Sequence, residues 1–304
     1  MKVTVLLNCY NAENFISDAI QSVINQSYKN WELIIWDDCS EDGTLKKIKE
    51  FKDKRIKIFK NKKNLGLGKS RILAQKKIKN KYVAILDADD KFKKRKLEEY
   101  IKCFIKDENL GLIASDYQVI DVDGKKKKYI NKSLDKIRKN LKTENILDFF
   151  CFNNFFAHST VMYNKKFAKK VGWYSKKLEY SQDYDLTVKI LKNFKVKYLK
   201  KKLSFYRVSE NNMSSIKSLR NLRAKEKISI LRNIKKHLHL NEKQKKLNFN
   251  ATVISEIDLM LSSMKDTMLI KLIKIFHHLL INPKKIIIFF NFSFKKFLGH
   301  VVQW

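Results

Sequence analysis

Short, largely apolar runs alternate along the first third of the chain with stretches in which apolar residues recur every three or four positions. Val3–Leu7, Trp31–Trp36, Ile56–Phe59 and Tyr82–Leu86 have the length and β-branched or aromatic content of strands. Between them, Phe15, Ile16, Ala19, Ile20, Val23 and Ile24 fall on one helical face. Further helices are predicted over Thr44–Phe51, with Ser40 or Asp42 as cap, and from Lys69 to Ile78. Strand and helix taking turns in this way predict a parallel sheet covered by helices through right-handed crossovers. Further on, the pattern predicts a helix over Lys94–Asp107, a strand over Leu112–Ile120, a hairpin turn at Asp123-Gly124 and a short helix over Ile146–Phe150. It then predicts a strand over Phe155–Tyr163 with His158 inside it, a helix through Leu186–Leu191 capped by Ser181, and a strand over Lys197–Tyr206 ending at Arg207. Beyond Ser218 the pattern is helical and basic.

The polar residues that end the early strands carry the chemistry. In such a sheet the carboxyl ends of the strands share one edge, where ligands bind. That edge gathers Asn8-Cys9-Tyr10-Asn11, Asp37-Asp38 and Asp87-Ala88-Asp89-Asp90. Asp87 and Asp89, two apart where a strand becomes a loop, can turn toward one hard cation that shares its oxygen ligands with a diphosphate. The same acids would also serve as a turn or a helix cap, and Asp183 and Asp185 suit the first turn of their helix. No G-x-G-x-x-G follows the first strand and no phosphate loop of the G-x-x-x-x-G-K-[ST] type is present, which disfavours an ordinary dinucleotide fold. His158, alone on an apolar run, reads first as a packed, hydrogen-bonded side chain and second as a functional one.

Composition changes the picture in one respect. The 304 residues are 44% hydrophobic, enough for a sizeable core, but the formal net charge is +35. The excess is nearly all lysine, with eight arginines, and is spread along the chain. That favours diffuse attraction to anionic partners over specific nucleic-acid recognition, which prefers the arginine fork. Four separated cysteines, without a C-x-x-C pair, indicate reduced thiols rather than a zinc site or a disulfide framework. The amino terminus reads as a first strand and not as a signal peptide, so a cytoplasmic location is expected. After Pro283, residues Ile286, Phe290, Phe294, Phe297, Val301 and Trp304 share one face among lysines. This predicts a basic amphipathic helix lying on an anionic membrane surface, or one that packs on protein, where the carboxy-terminal helices could form a homodimer.

Three segments taken together resemble the family 2 glycosyltransferases: Asn8-Cys9-Tyr10-Asn11, Trp31 to Thr44 with its Asp37-Asp38-Cys39-Ser40-Glu41-Asp42-Gly43-Thr44, and Leu86-Asp87-Ala88-Asp89-Asp90. The resemblance covers roughly residues 1–210 and is nearest to bacterial enzymes of surface-polysaccharide and lipopolysaccharide synthesis. It implies an α/β fold of the GT-A type over residues 1–215, with residues 216–304 as a basic helical extension. It implies inverting transfer of a sugar from a nucleoside diphosphate, leaning to UDP, onto a saccharide or lipid-linked acceptor, assisted by Mn²⁺ or Mg²⁺. The enzyme would sit peripherally on the cytoplasmic face of the inner membrane. By that resemblance Asn8 and Tyr10 line the nucleoside pocket and Asp38 contacts the base. Arg71 lies beside the nucleotide sugar, Asp87 reaches the ribose or sugar, and Asp89, rather than Asp90, holds the metal. Asp183 would be the catalytic base, although Gln182 stands where the family usually has Glu. His158 and Arg207 would lie near the acceptor side or the diphosphate. The competing readings are a nucleotidyltransferase, for which the glycine-rich loop is missing, and a basic binding protein without catalysis.

Overall fold

The computed structural model describes residues 1–127, 139–209 and 216–263. They fall into two compact units, one made of Met1–Ile146 with Asn154–Glu210 and the other of Leu147–Asn153 with the chain from Asn211 on. In chain order the first unit runs β1 (Val3–Cys9), α1 (Ile16–Ile24), β2 (Trp31–Asp37), α2 (Thr44–Glu50), β3 (Ile56–Lys60), α3 (Leu67–Gln75) and β4 (Tyr82–Asp87). It continues with β5 (Lys91–Phe92), α4 (Lys96–Lys106) and β6 (Leu110–Ile120). A short helix, α5 (Ile146–Phe150), begins where the two units part. Then come β7 (Val161–Asn164), α6 (Lys165–Lys170), α7 (Gln182–Asn193) and β8 (Lys195–Arg207).

The eight strands form one sheet in the order β3-β2-β1-β4-β7-β6-β8-β5. The first four strands pair in parallel, as the alternation predicts. β7 enters antiparallel to both β4 and β6, β6 and β8 are parallel, and β5 is antiparallel to β8. The expected mostly parallel sheet therefore ends in a mixed half. β1, β2 and β4 have almost every side chain buried, because helices cover both faces of a crossover sheet. On α1, Ile16, Ala19, Ile20 and Val23 are buried, the stripe expected from their spacing. Trp31, Tyr82, Tyr100 and Phe104 are the bulky centre of this core, and the rings of Tyr82 and Phe104 stack at 4.4 Å.

Several predicted elements shift. The strand expected over Phe155–Tyr163 is confined to Val161–Asn164. His158–Thr160 instead form a 3₁₀ turn, because Thr160 bonds back to the carbonyl of Ala157 through both its amide, at 2.8 Å, and its hydroxyl, at 2.6 Å. α3 starts two residues earlier than expected and stops at Gln75. Ser181 sits at the N-cap of α7 without a side-chain cap bond. At α2, Asp42 accepts from the Thr44 amide at 3.0 Å. The Asp123-Gly124 turn is present, with Gly124 at φ 81° in the left-handed region that glycine enters freely.

In the second unit, α8 (Arg220–His237) and α9 (Glu242–Ser263) pack on each other, and Ile228, Ile230, Leu231, Ile234, Ala251, Val253 and Ile257 are buried. The Asn248 side chain donates to the carbonyl of Leu231 at 3.0 Å, and Arg232 pairs with Glu256 at 3.0 Å. No helix among the described residues is long and apolar enough to cross a membrane. The amphipathic stripe expected over 286–304 lies outside the described residues.

Candidate active site

The register places the three polar strand ends together. Asn8 lies between Trp36 and Asp87, and Cys9 lies beside Asp37. The loops that follow are held against each other in costly backbone conformations. Asn11 (φ 46°) and Cys39 (φ 65°) both occupy the left-handed region, which costs a non-glycine residue on the order of 1 kcal/mol or more. Cross-bonds hold them there: the Asn11 amide donates to Ser40 Oγ at 3.0 Å and the Glu41 amide donates to Asn11 Oδ1 at 2.9 Å. Ser40 in turn is fixed on the buried Asp37 carboxylate through its amide at 3.1 Å.

Asp38 is buried, with 4% of its surface exposed. Its carboxylate accepts from Asn61 Nδ2 at 2.7 Å and from the amides of Leu65 and Gly66, each at 2.9 Å. Its observed work is thus to pin the loop that launches α3. That loop passes close to the 178–179 segment. Glu179 Oε1 accepts from the Gly68 amide at 3.0 Å, and a Cβ on Gly68 would stand 2.9 Å from the carbonyl oxygen of Leu178. Gly66, at φ 85°, makes the turn itself.

α3 delivers Arg71 into the site, buried. Its Nη2 donates to His158 Nδ1 at 2.9 Å and stands 3.6 Å from Asp87 Oδ1. On the other side of the ring, His158 Nε2 faces the Tyr174 hydroxyl at 3.1 Å. Among the described residues, Arg71 Nη1 and Asn8 Nδ2 are buried without a hydrogen-bond partner. Two unmet donors beside a cluster of acids are costly unless a ligand supplies acceptors. Tyr10, 44% exposed, stands at the rim.

The acid turn after β4 divides its labour. Burial alone would raise the Asp87 carboxyl. His158, the Arg71 guanidinium and the Ser159 hydroxyl outweigh burial and hold it at about 2. Asp89 is pushed up to about 6 by burial and by the negative charge of Asp87, with Arg207 working the other way. Asp90 is buried, its Oδ1 accepts from the Arg207 amide at 2.8 Å, and burial drives its carboxyl well above the ordinary range. The half-buried Asp87 and Asp89 are therefore the open pair and Asp90 is internal.

Arg207 lies beside the acid turn, buried, and its guanidinium donates to the carbonyls of Asp89 (2.8 Å), Asp121 (3.1 Å) and Val122 (2.6 Å) and to Asp18 Oδ2 (2.7 Å). It ties the end of β8 to the acid turn. Asp183, in the first turn of α7, is half-buried, and Asn154 Nδ2 donates to its Oδ2 at 2.7 Å. Gln182 is fully buried and donates to the carbonyls of Ser175 (2.9 Å) and Gly68 (3.3 Å). Asn154, Tyr174 and Glu179 were not legible in sequence. They lie far along the chain from the groups they hold, and none belongs to a patterned motif.

The donor set suits a hard dication. Among the described residues no cluster of three His, Cys, Asp or Glu side chains is placed to hold a metal. Two adjacent carboxylates, one raised by the charge of the other, match an ion that takes one or two carboxylates and completes its shell with phosphate oxygens. Asp87 and Asp89 are the residues that would hold it.

Comparison with known proteins agrees with this geometry. The family model for glycosyl transferase family 2 matches residues 4–171. An uncharacterised glycosyltransferase of Methanocaldococcus jannaschii is 32% identical over 222 residues, covering 71% of this chain and 74% of its own. The UDP-Glc:α-D-GlcNAc-diphosphoundecaprenol β-1,3-glucosyltransferase WfgD of Escherichia coli is 39% identical over 119 residues, 39% of this chain. The putative teichuronic acid biosynthesis glycosyltransferase TuaG of Bacillus subtilis is 37% identical over 124 residues, 40% of this chain. The chain spans about half the length of these last two relatives, 47% and 49% respectively. Among solved structures, the mannosyltransferase PcManGT of Pyrobaculum calidifontis, in complex with GDP-Man and Mn²⁺, superposes with a TM-score of 0.62 at 15% identity, over 92% of this chain and 81% of its own. S. aureus TarS 1-349 in complex with UDP superposes with a TM-score of 0.56 at 20% identity, over 86% of this chain and 81% of its own. The fold is that of the GT-A glycosyltransferases.

Proposed function

The chain belongs to glycosyl transferase family 2, and on that footing we propose that it transfers a sugar from a nucleoside diphosphate, UDP foremost, to a saccharide or lipid-linked acceptor of a bacterial surface glycan, with inversion. The observation that carries this reading is the convergence, on one sheet edge, of the open pair Asp87 and Asp89 with the unmet donors of Asn8 and Arg71. UDP in the TarS complex and GDP-Man with Mn²⁺ in PcManGT support a nucleotide-sugar donor. Asn8 and Tyr10 line the nucleoside side. Arg71, with Nη1 unspent, neutralises part of the diphosphate charge, while its Nη2 keeps His158 and Asp87 in place. Mn²⁺ or Mg²⁺ held by Asp87 and Asp89 would supply Lewis-acid stabilisation of the leaving diphosphate.

Asp183 is the proposed base. Asn154 occupies Oδ2 and orients the carboxylate, leaving Oδ1 to take the proton from the acceptor hydroxyl as that oxygen attacks the anomeric carbon. A single displacement of this kind needs no enzyme nucleophile. The relatives' names and the basic composition favour a lipid-linked or anionic glycan acceptor at a membrane surface, reached peripherally. The test is Asp183→Asn, scored by nucleotide release from a panel of UDP-, GDP- and CMP-sugars with Mn²⁺ and by donor binding. Transfer is expected to fall by about 10²–10⁴-fold with donor affinity retained. Loss of donor binding to the same extent would make Asp183 structural.

A further inference from the structure

Three buried side chains stand beneath the acid turn and take no part in the proposed chemistry. Lys96 opens α4 with none of its surface exposed, and Tyr100 follows one turn later on the same face, equally buried. The Lys96 ammonium donates to the carbonyl of Ser159 and, at 2.9 Å, to Ser204 Oγ on β8. Ser204 Oγ donates to that same Ser159 carbonyl at 2.9 Å. The Tyr100 hydroxyl donates to the carbonyl of the next residue, Thr160. Two consecutive carbonyls of the 3₁₀ turn are thus gripped from one helix face. The turn's other side meets the site: the Asp87 amide donates to Ser159 Oγ at 2.9 Å, and His158, one residue earlier, meets Arg71 and stands 3.5 Å from Asp87 Oδ1.

A lysine is an expensive way to satisfy a carbonyl. Burial pushes its ammonium well below the ordinary range, against the opposing charges of Asp90 and Asp87. A core that needed only packing would be served by an apolar residue of similar volume. We propose that Lys96 and Tyr100 are positioning residues: from one face of α4 they fix the His158–Thr160 turn and, through the Ser159 hydroxyl, the backbone of Asp87. The inference rests on Asp87 belonging to the proposed transfer site only for its second readout.

The test uses the full chain and two measurements. Amide hydrogen exchange without metal or nucleotide is followed at Asp87–Asp90, with β1 as internal reference. UDP affinity in Mn²⁺ is measured by calorimetry. Lys96→Met and Tyr100→Phe are each expected to speed exchange at Asp87–Asp90 at least tenfold relative to β1 and to weaken UDP at least fivefold. In a Ser159→Ala background, where the hydroxyl bond from the turn to the Asp87 amide is gone, Tyr100→Phe is expected to cost less UDP affinity than it does in the wild-type chain. Should Lys96→Met not fold, Tyr100→Phe, which removes a single hydroxyl, answers the same question. Exchange that rises equally at Asp87–Asp90 and β1 would mark both residues as ordinary core and overturn the inference. Local acceleration in a wild-type background that never binds UDP would uphold the positioning role and count against the transferase reading.

Discussion

Replacing Asp89 by asparagine is expected to stabilise the metal-free protein at neutral pH while removing a proposed metal ligand. The reason is the unfavourable company its charge keeps. Burial and the neighbouring Asp87 raise the Asp89 carboxyl from 3.8 to about 6. Below about pH 4 Asp89 is protonated whether the chain is folded or unfolded, and its charge costs nothing. Between about 4 and 6 folding takes up a proton, so stability falls as pH rises through that window. Above about 6 the carboxylate is ionised in both states and the full cost is present. A rise of about two pH units corresponds to roughly 3 kcal/mol at full burial. Asp89 is only half-buried, and solvent screening cuts this to about 1.5 kcal/mol, or roughly 4 °C in Tm for a unit of this size. Asp87 does not confuse the window. Its carboxyl is held at about 2, so the stability it contributes is complete above about pH 4 and is lost only as pH falls toward 2. The assay is thermal unfolding of wild type and Asp89→Asn from pH 4 to 8 in EDTA. The variant's advantage is expected to be absent near pH 4 and complete above pH 6.5. Parallel Tm curves across that range, or a variant less stable at pH 7, would refute the electrostatic account of the acid pair.

Other consequences follow from particular contacts. Gly68→Ala puts a Cβ 2.9 Å from a backbone carbonyl that cannot easily move; a loss of about 1–3 kcal/mol in denaturant unfolding is expected, with weaker donor binding because Arg71 rides on the same helix. Arg207→Met strips buried donors from the carbonyls of Asp89, Asp121 and Val122; it is expected to cost about 3 kcal/mol by chemical denaturation, against less than about 1 kcal/mol for Asp18→Asn, whose side chain is 52% exposed. Cys39 and Cys103 are half-buried and are expected to react with a thiol reagent in the folded protein. Cys9 and Cys151 are buried, and burial raises both thiols, that of Cys151 up to about 12; they are expected to react only on unfolding.

Much of the first half of the fold was legible in the chain itself. β1, β2 and β4 are apolar runs that end in polar clusters, and α1 carries its stripe at helical spacing. Local pattern and the handedness of crossovers then suffice to place Asn8, Asp37 and Asp87 on one edge. The second half was less legible because its pairings are long-range. Nothing local in Val161–Asn164 says that it will run antiparallel between β4 and β6, and His158 and Ser159 read as part of a strand until the bonds of Thr160 to Ala157 turn them into a 3₁₀ turn.

The roles of single acids belong to tertiary structure most of all. Asp87, Asp89 and Asp90 are alike in sequence; what separates them is that Arg71 and His158 stand beside the first, Asp87's own charge beside the second, and the backbone of Arg207 beside the third. Arg207 is placed by resemblance only as near the acceptor side or the diphosphate, and the fold shows which groups it holds: three carbonyls and Asp18. A buried guanidinium goes to whatever acceptors the fold brings within reach, and those acceptors lie 85 to 189 residues away along the chain. Residue type and spacing determined which groups could do the chemistry; the desolvation and neighbouring charge that decide which of them does it exist only once the chain has folded.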